Sequence, residues 1–221
     1  MSKYNAFNIV VASVLTLVFA FNQSQISIIH TFMHPADAEA SQDSAVETEK
    51  KPLAVSSGLV EEAIAAAVPT GTPSVEGSQG VINYGAELKI SYDQAAQTIP
   101  VLAPHEQDTR TEKLTGELLE RYVDVGSKTS CEYCCGARTM VFPDGKKACG
   151  CAHSAAMRGL AAYLLDNYGD QLSTEQILEE VNKVKATYFP RQSAEKVIAA
   201  SQGGSIDTSV LNSLSPQVGG C

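Results

Sequence analysis

The 221-residue chain has no tryptophan, 6% aromatic residues and 19% charged residues. Short of the side chains that bury the most area, it reads as one small domain with long flanks rather than one large core. Lysine and arginine total 16 against 25 acidic residues, a formal net charge of −9. They never gather into the stripe that neutralises phosphates, which excludes nucleic acid as a partner. The nearest approach, Lys146-Lys147, reads as a hairpin-turn flank. Internal repeats are absent. Histidine is scarce too, and only His153 stands among the cysteines. Without a second histidine there to serve as base, and without a recognisable acid pair, a thiol-redox or hydrolytic enzyme with a cysteine near Ser154 as nucleophile is the weakest functional reading.

Charge is also missing from Ala6 to Phe21 (AFNIVVASVLTLVFAF), just after Lys3. Such a run is the apolar region of a secretory signal or the start of a membrane anchor, so residues 1–38 are read as one or the other. The protein is then extracytoplasmic, secreted or held at the membrane by this segment. Ala36-Asp37-Ala38 and Ala38-Glu39-Ala40 offer small-residue cleavage sites far beyond Phe21. Ile26–Met33 would lengthen an uncleaved anchor, although Asn22, Gln23, Ser24 and Gln25 interrupt it with polar groups. His30 and His34 would share a helix face, but no third ligand stands near them in sequence, and they suit a membrane interface or a discarded peptide.

Residues 39–56 are polar and acidic and form a tether. Residues 57–115 read as an irregular arm with one short helix, Ser57–Val68, stopped by Pro69, Gly71 and Pro73. Later β-formers at Gly80–Tyr84 and Leu88–Tyr92 lack a sustained period, giving an extended arm packed on the later domain or a partly disordered linker. The span 116–190 is the Cys-rich domain, entered through a helix at about Thr115–Val123. Its two strongest helices follow: Ser154 can cap a run with Met157, Leu160, Ala161, Leu164 and Leu165 at helical spacing, and Gly169 suits its C-terminal end. Ser173-x-x-Gln176 then matches a capping box ahead of Ile177, Leu178, Val181, Val184 and Tyr188, with Pro190 as stop. These make an antiparallel helical hairpin, whose face is a candidate surface for a protein partner. Residues 191–221 read as a flexible tail with a short helix at Ala194–Ala200 and a terminal Gly-Gly-Cys.

What the chain does have is cysteine in one place. Cys131-x-x-Cys134-Cys135 and Cys149-x-Cys151-x-His153 are separated by thirteen residues, and only Cys221 lies elsewhere. Ala137–Phe142 can run as a strand, Pro143-Asp144-Gly145 can turn, and Lys146–Cys149 can return, folding the clusters onto one another. Cys131, Cys134, Cys149 and Cys151 are therefore the primary metal-ligand candidates, with Cys135 and His153 secondary. His153 also suits a helix-capping or surface role. Arg138, Lys146 and Arg158 are candidate charge partners for a thiolate site, while Lys147 reads as solvated. Haem attachment is disfavoured because Cys135, not histidine, follows Cys134.

Knuckle, hairpin and ligands at a helix N-terminus resemble the treble-clef arrangement of zinc-binding domains over Cys131–Asp166. The resemblance implies a small α+β fold, mainly α, with knuckle and β-hairpin followed by the helical hairpin, between an N-terminal membrane segment and long irregular flanks. The chain departs from it in the one-residue gap of Cys149-x-Cys151 and in the extra donors. The run CGCAHS is similar to the core of exported prokaryotic proteins named for a PCYCGC motif, and CEYCCG…CGCAHSAAMRGLAAYLL resembles a Cys-rich family of exported archaeal proteins. Neither family carries an assigned activity; the resemblances imply export and metal or thiol chemistry. Zn²⁺ suits four tetrahedral donors, whereas the surplus sulfurs leave Cu(I) or an Fe–S cluster as alternatives, and a disulfide framework as the structural one. The leading reading is an exported or membrane-anchored zinc module with a structural, partner-binding role; the alternative is Cu(I) handling or electron transfer.

Overall fold

The computed structural model describes residues 57–109, 114–202 and 208–220. The expected membrane segment, the tether, His30, His34 and Cys221 lie outside the described residues. Among the described residues no helix is long and apolar enough to cross a membrane.

The fold is mainly helical, with one small sheet, and it is organised around a single buried helix. Helix α1 spans Ser57–Ala67 and is followed by strands β1 (Val75–Gly77) and β2 (Gly80–Ile82), short helix α2 (Tyr84–Leu88) and α3 (Ala95–Leu102). A 3-10 segment, Ala103–Thr109, continues from α3. Then come α4 (Glu117–Lys128), α5 (Glu132–Cys135), α6 (Ala152–Tyr168), α7 (Thr174–Tyr188) and α8 (Pro190–Gln202). Strands β1 and β2 pair antiparallel with Val75 opposite Ile82.

Helix α6 is apolar on almost every side, with Met157, Leu160, Ala161, Leu164 and Leu165 fully or almost fully buried, so it must be surrounded. The supposed arm does much of the surrounding. Tyr84, Ile90, Tyr92 and Leu102 join the same core as the two expected helices, and residues 75–102 are ordered into strands, helices and turns. The reason is polar as well as apolar. Glu180 of α7, 1% exposed, accepts hydrogen bonds from the hydroxyls of Tyr84 (2.7 Å) and Tyr92 (3.2 Å), and Lys183 pairs with its other oxygen at 2.7 Å. A buried carboxylate without such partners would cost several kcal/mol, so the arm satisfies α7 while burying itself.

The helical hairpin forms as expected, including the reciprocal capping box between Ser173 and Gln176. Gly169 ends α6 in right-handed rather than left-handed geometry, φ −61°. Arg121 of α4 substitutes for a left-handed cap by donating to the carbonyls of Gly169 and Leu172, each at 2.6 Å. Pro190 does stop α7, and it also begins α8, thirteen residues long where a short helix was expected, because proline suits the first helical position. Ala194 and Ile198 of α8 pack with Val60 and Ala63 of α1 and with Leu211 in a smaller second core. The exposed side of α7, Glu175, Glu179 and Asn182, is polar; the large exposed hydrophobics among the described residues are Val81 and Phe142. The hairpin's apolar faces are thus covered by the chain itself.

Close packing requires glycine at several positions, Gly159 and Gly126 among them. A Cβ on Gly159 of α6 would lie 1.9 Å from the Leu102 carbonyl oxygen, and one on Gly126 of α4 would lie 2.4 Å from Val141 Cγ2. The first collision is with backbone, which cannot rotate away. Gly159→Ala should therefore cost about 1–3 kcal/mol and lower the melting temperature by several degrees. Gly58→Ala, where nothing lies within 4 Å, should leave melting unchanged or raise it. Equal melting of Gly159→Ala and the parent would show that α6 does not pack this closely on α3.

Candidate metal centre

Cys131 is fully buried at the N-terminal end of α5, and its carbonyl accepts from the backbone N–H groups of Cys134 (3.3 Å) and Cys135 (3.4 Å). One helical turn thus winds the three cysteines together. Gly136 closes the turn with φ +68°, a conformation glycine adopts without a Cβ penalty, as its place in the sequence suggests. The chain then reverses through Phe142–Gly145. Phe142 N–H donates to Lys146 O at 2.7 Å and Ala148 N–H to Met140 O at 3.0 Å. The expected β-hairpin is reduced to one bridge, Val141 opposite Lys147, because Met140 N–H is drawn to Gly126 O (2.7 Å) on α4. The return still brings Cys149 and Cys151 back to the knuckle.

At the start of α6 the capping residue is Cys151, not Ser154: its sulfur accepts from Ser154 N–H at 3.3 Å. Ser154 is instead buried, and its hydroxyl accepts from Arg158 at 2.6 Å. Arg158, 1% exposed, also donates to Met140 O (3.2 Å) and pairs with Glu106 (3.0 Å), so it locks hairpin, α6 and the 3-10 segment together. Arg138, Lys146 and Lys147 are exposed, and Lys146 pairs with Asp144 at 2.8 Å. Glu132, beside the cysteines, is held by Lys185 of α7 (3.0 Å) and Lys196 of α8 (2.7 Å); burial works against its charge, but the two lysines bring its carboxyl down to about 2.

Two donor groups result. Cys131, Cys134, Cys151 and His153 have ligand atoms within 4.8 Å of one another, and Cys135, Cys149 and Cys151 form a second such group. Cys151 belongs to both. Of the four cysteines singled out by sequence, three lie in the first group together with His153, while Cys149 gathers with Cys135. The sulfurs of Cys131 and Cys151 are 3.4 Å apart, and those of Cys135 and Cys149 are 2.7 Å apart. Cys134 is disulfide-bonded, whereas Cys131, Cys135, Cys149 and Cys151 are free thiols. A disulfide sulfur carries no thiolate charge, so the inner group becomes a complete donor set only when Cys134 is reduced.

His153 is fully buried, with its ring 5.0 Å from those of both Tyr188 and Phe189. Its Nε2 donates to Val218 O at 2.7 Å, and Val218 N–H donates back to Tyr188 O at 2.8 Å. A carbonyl can only accept, so this bond places a proton on Nε2, and in the neutral ring Nδ1 is then the nitrogen that could coordinate a metal. Sequence reasoning missed Val218 and the aromatic pair. The tail reaches His153 across 65 positions, a pairing for which the sequence carries no periodic signal, although Tyr188-Phe189 stands where α7 ends.

The charge distribution favours a thiolate at Cys151. The hydrogen bond shared by the Cys131 and Cys151 sulfurs (3.4 Å), opposed by burial and aided by His153 and Ser154 N–H, brings the Cys151 thiol down to about 3. The same Cys131–Cys151 hydrogen bond, together with burial, pushes Cys131 up, and burial and Cys135 push Cys149 up to about 11. Burial lowers His153, but the Cys151 thiolate and Val218 carbonyl outweigh it and raise the imidazole overall. A bound cation would replace these shared protons.

Comparison of the chain with family models, curated proteins and solved structures gives no match. The site's chemistry therefore rests on its own geometry. In metal-free protein, alkylation at pH 6 followed by peptide mapping should label Cys151 well before Cys149, because the first is then thiolate and the second is thiol. Faster labelling of Cys149 would contradict the charge distribution.

Proposed function

We propose that the protein is an extracytoplasmic metal-binding module whose inner group, Cys131, Cys134, Cys151 and His153, holds one zinc ion. The observation that carries this reading is the His153 arrangement. Its Nε2–H is committed to the Val218 carbonyl while the ring lies with three sulfurs, the outer hydrogen bond that zinc-ligating histidines characteristically make. Three sulfurs and one imidazole nitrogen are a tetrahedral structural-zinc donor set. The ion would join α5, the start of α6 and, through His153 and Val218, the tail. Its role is then structural, holding the knuckle and the tail on the helical core. A partner at the hairpin would meet the polar side of α7 rather than an apolar groove. The apolar N-terminal run supports export or anchoring, and the PCYCGC-like and archaeal resemblances agree with it.

Full-length protein purified anaerobically with reductant should contain one zinc per chain, and chelation should lower its melting temperature. Truncation after Gln217 removes the Val218 acceptor and should weaken zinc binding about 10- to 100-fold, the usual cost of losing such a hydrogen bond. Cys221→Ser is the control that leaves the acceptor in place. Metal-free protein with free, reactive thiols after reduced purification would overturn the reading.

A further inference from the structure

The inner group leaves Cys135 and Cys149 unused. Their sulfurs are held 2.7 Å apart, well inside ordinary van der Waals contact yet beyond the about 2.05 Å of a disulfide, and both remain free thiols. Cys151 lies within 4.8 Å of both. This trio offers three sulfurs without any nitrogen or carboxylate. Thiolates alone select soft ions, and zinc would still need a fourth donor there. The two groups also differ in access. Cys135 is exposed and Cys149 half-buried, and a Cβ on the flanking Gly136 or Gly150 would meet nothing within 4 Å. The inner group instead includes fully buried Cys131 and His153, the latter beside Tyr188 and Phe189.

We propose that Cys135, Cys149 and Cys151 form a second, outward-facing metal position that takes a soft monovalent cation, Cu(I), with Cys151 as a thiolate shared with the inner group. This rests on the metal-binding reading of the inner group. The spacing in sequence follows from the fold: the second cysteine of the adjacent pair Cys134-Cys135 is the exposed one of the two, and the single residue between Cys149 and Cys151 lets the returning chain deliver one sulfur to the outer position and one to both. Binding is by ligand exchange. Three sulfur–copper bonds form, the thiol protons go to solvent, the ion leaves the ligands that carried it, and no oxidation state changes.

The test uses reduced, full-length, metal-free protein titrated anaerobically with Cu(I) against a chromophoric Cu(I) chelator, beside the variant Cys135→Ser/Cys149→Ser. The parent should bind two ions per chain and the variant one, with unchanged helical circular dichroism showing that the variant folds. One ion in both proteins would overturn the second position while leaving the inner site standing. No ion in either would remove the metal-binding reading itself. A Cys135–Cys149 disulfide mapped in protein kept anaerobic and reduced, with the parent binding one ion, would make the pair a redox couple and also overturn the proposal.

Discussion

The structure depends on how the first turn of α6 is satisfied. A helix this deeply buried brings the unpaired N–H groups of its N-terminus into the interior, where leaving them unpaired is costly. Cys151 supplies the acceptor, and the helix dipole stabilises negative charge on its sulfur. One interaction therefore both starts the central helix and prepares a thiolate. The same turn carries His153 and Ser154, which reach the tail and Arg158 respectively. Cap, donor group and core cannot be separated.

Three other polar contacts follow one pattern: each ties an element remote in sequence to the α6–α7 pair. Arg121 closes the turn between the two helices, Glu180 gathers two tyrosines from residues 84–92, and Glu132 draws lysines from α7 and α8 onto the knuckle. The buried Glu180 contact fixes position more than it adds stability, since it desolvates a charge. The three contacts suit the proposed metal-binding module, which must hold sulfurs at fixed distances. A disulfide at Cys134 and the proposed metal ion at the inner group would compete for the same sulfur, which would couple the thiol state of the protein to its metal content.

The parts legible in the sequence were those set by local chemistry. The capping box, the periodicity of Met157–Leu165, the proline at 190 and the cysteine spacing each act within a turn or two of helix. What was not legible came from tertiary partners. The arm carries no sustained period because its tyrosines are placed by Glu180 rather than by a repeating face. Ser154 looked like a cap because serine is a good one, but Arg158 takes its hydroxyl and leaves Cys151 to cap. Val218 gives no signal, being an ordinary residue whose backbone carbonyl is what matters. His153 looked secondary because its burial and its hydrogen bond to the tail arise only in the fold.

In the proposed centre His153 shares an ion with Cys131, Cys134 and Cys151. X-ray absorption at the zinc edge of the reduced, full-length protein reads that first shell directly. Three sulfurs at about 2.3 Å and one nitrogen at about 2.0–2.1 Å are expected, with the outer-shell scattering of an imidazole. Four sulfurs without imidazole scattering would contradict it.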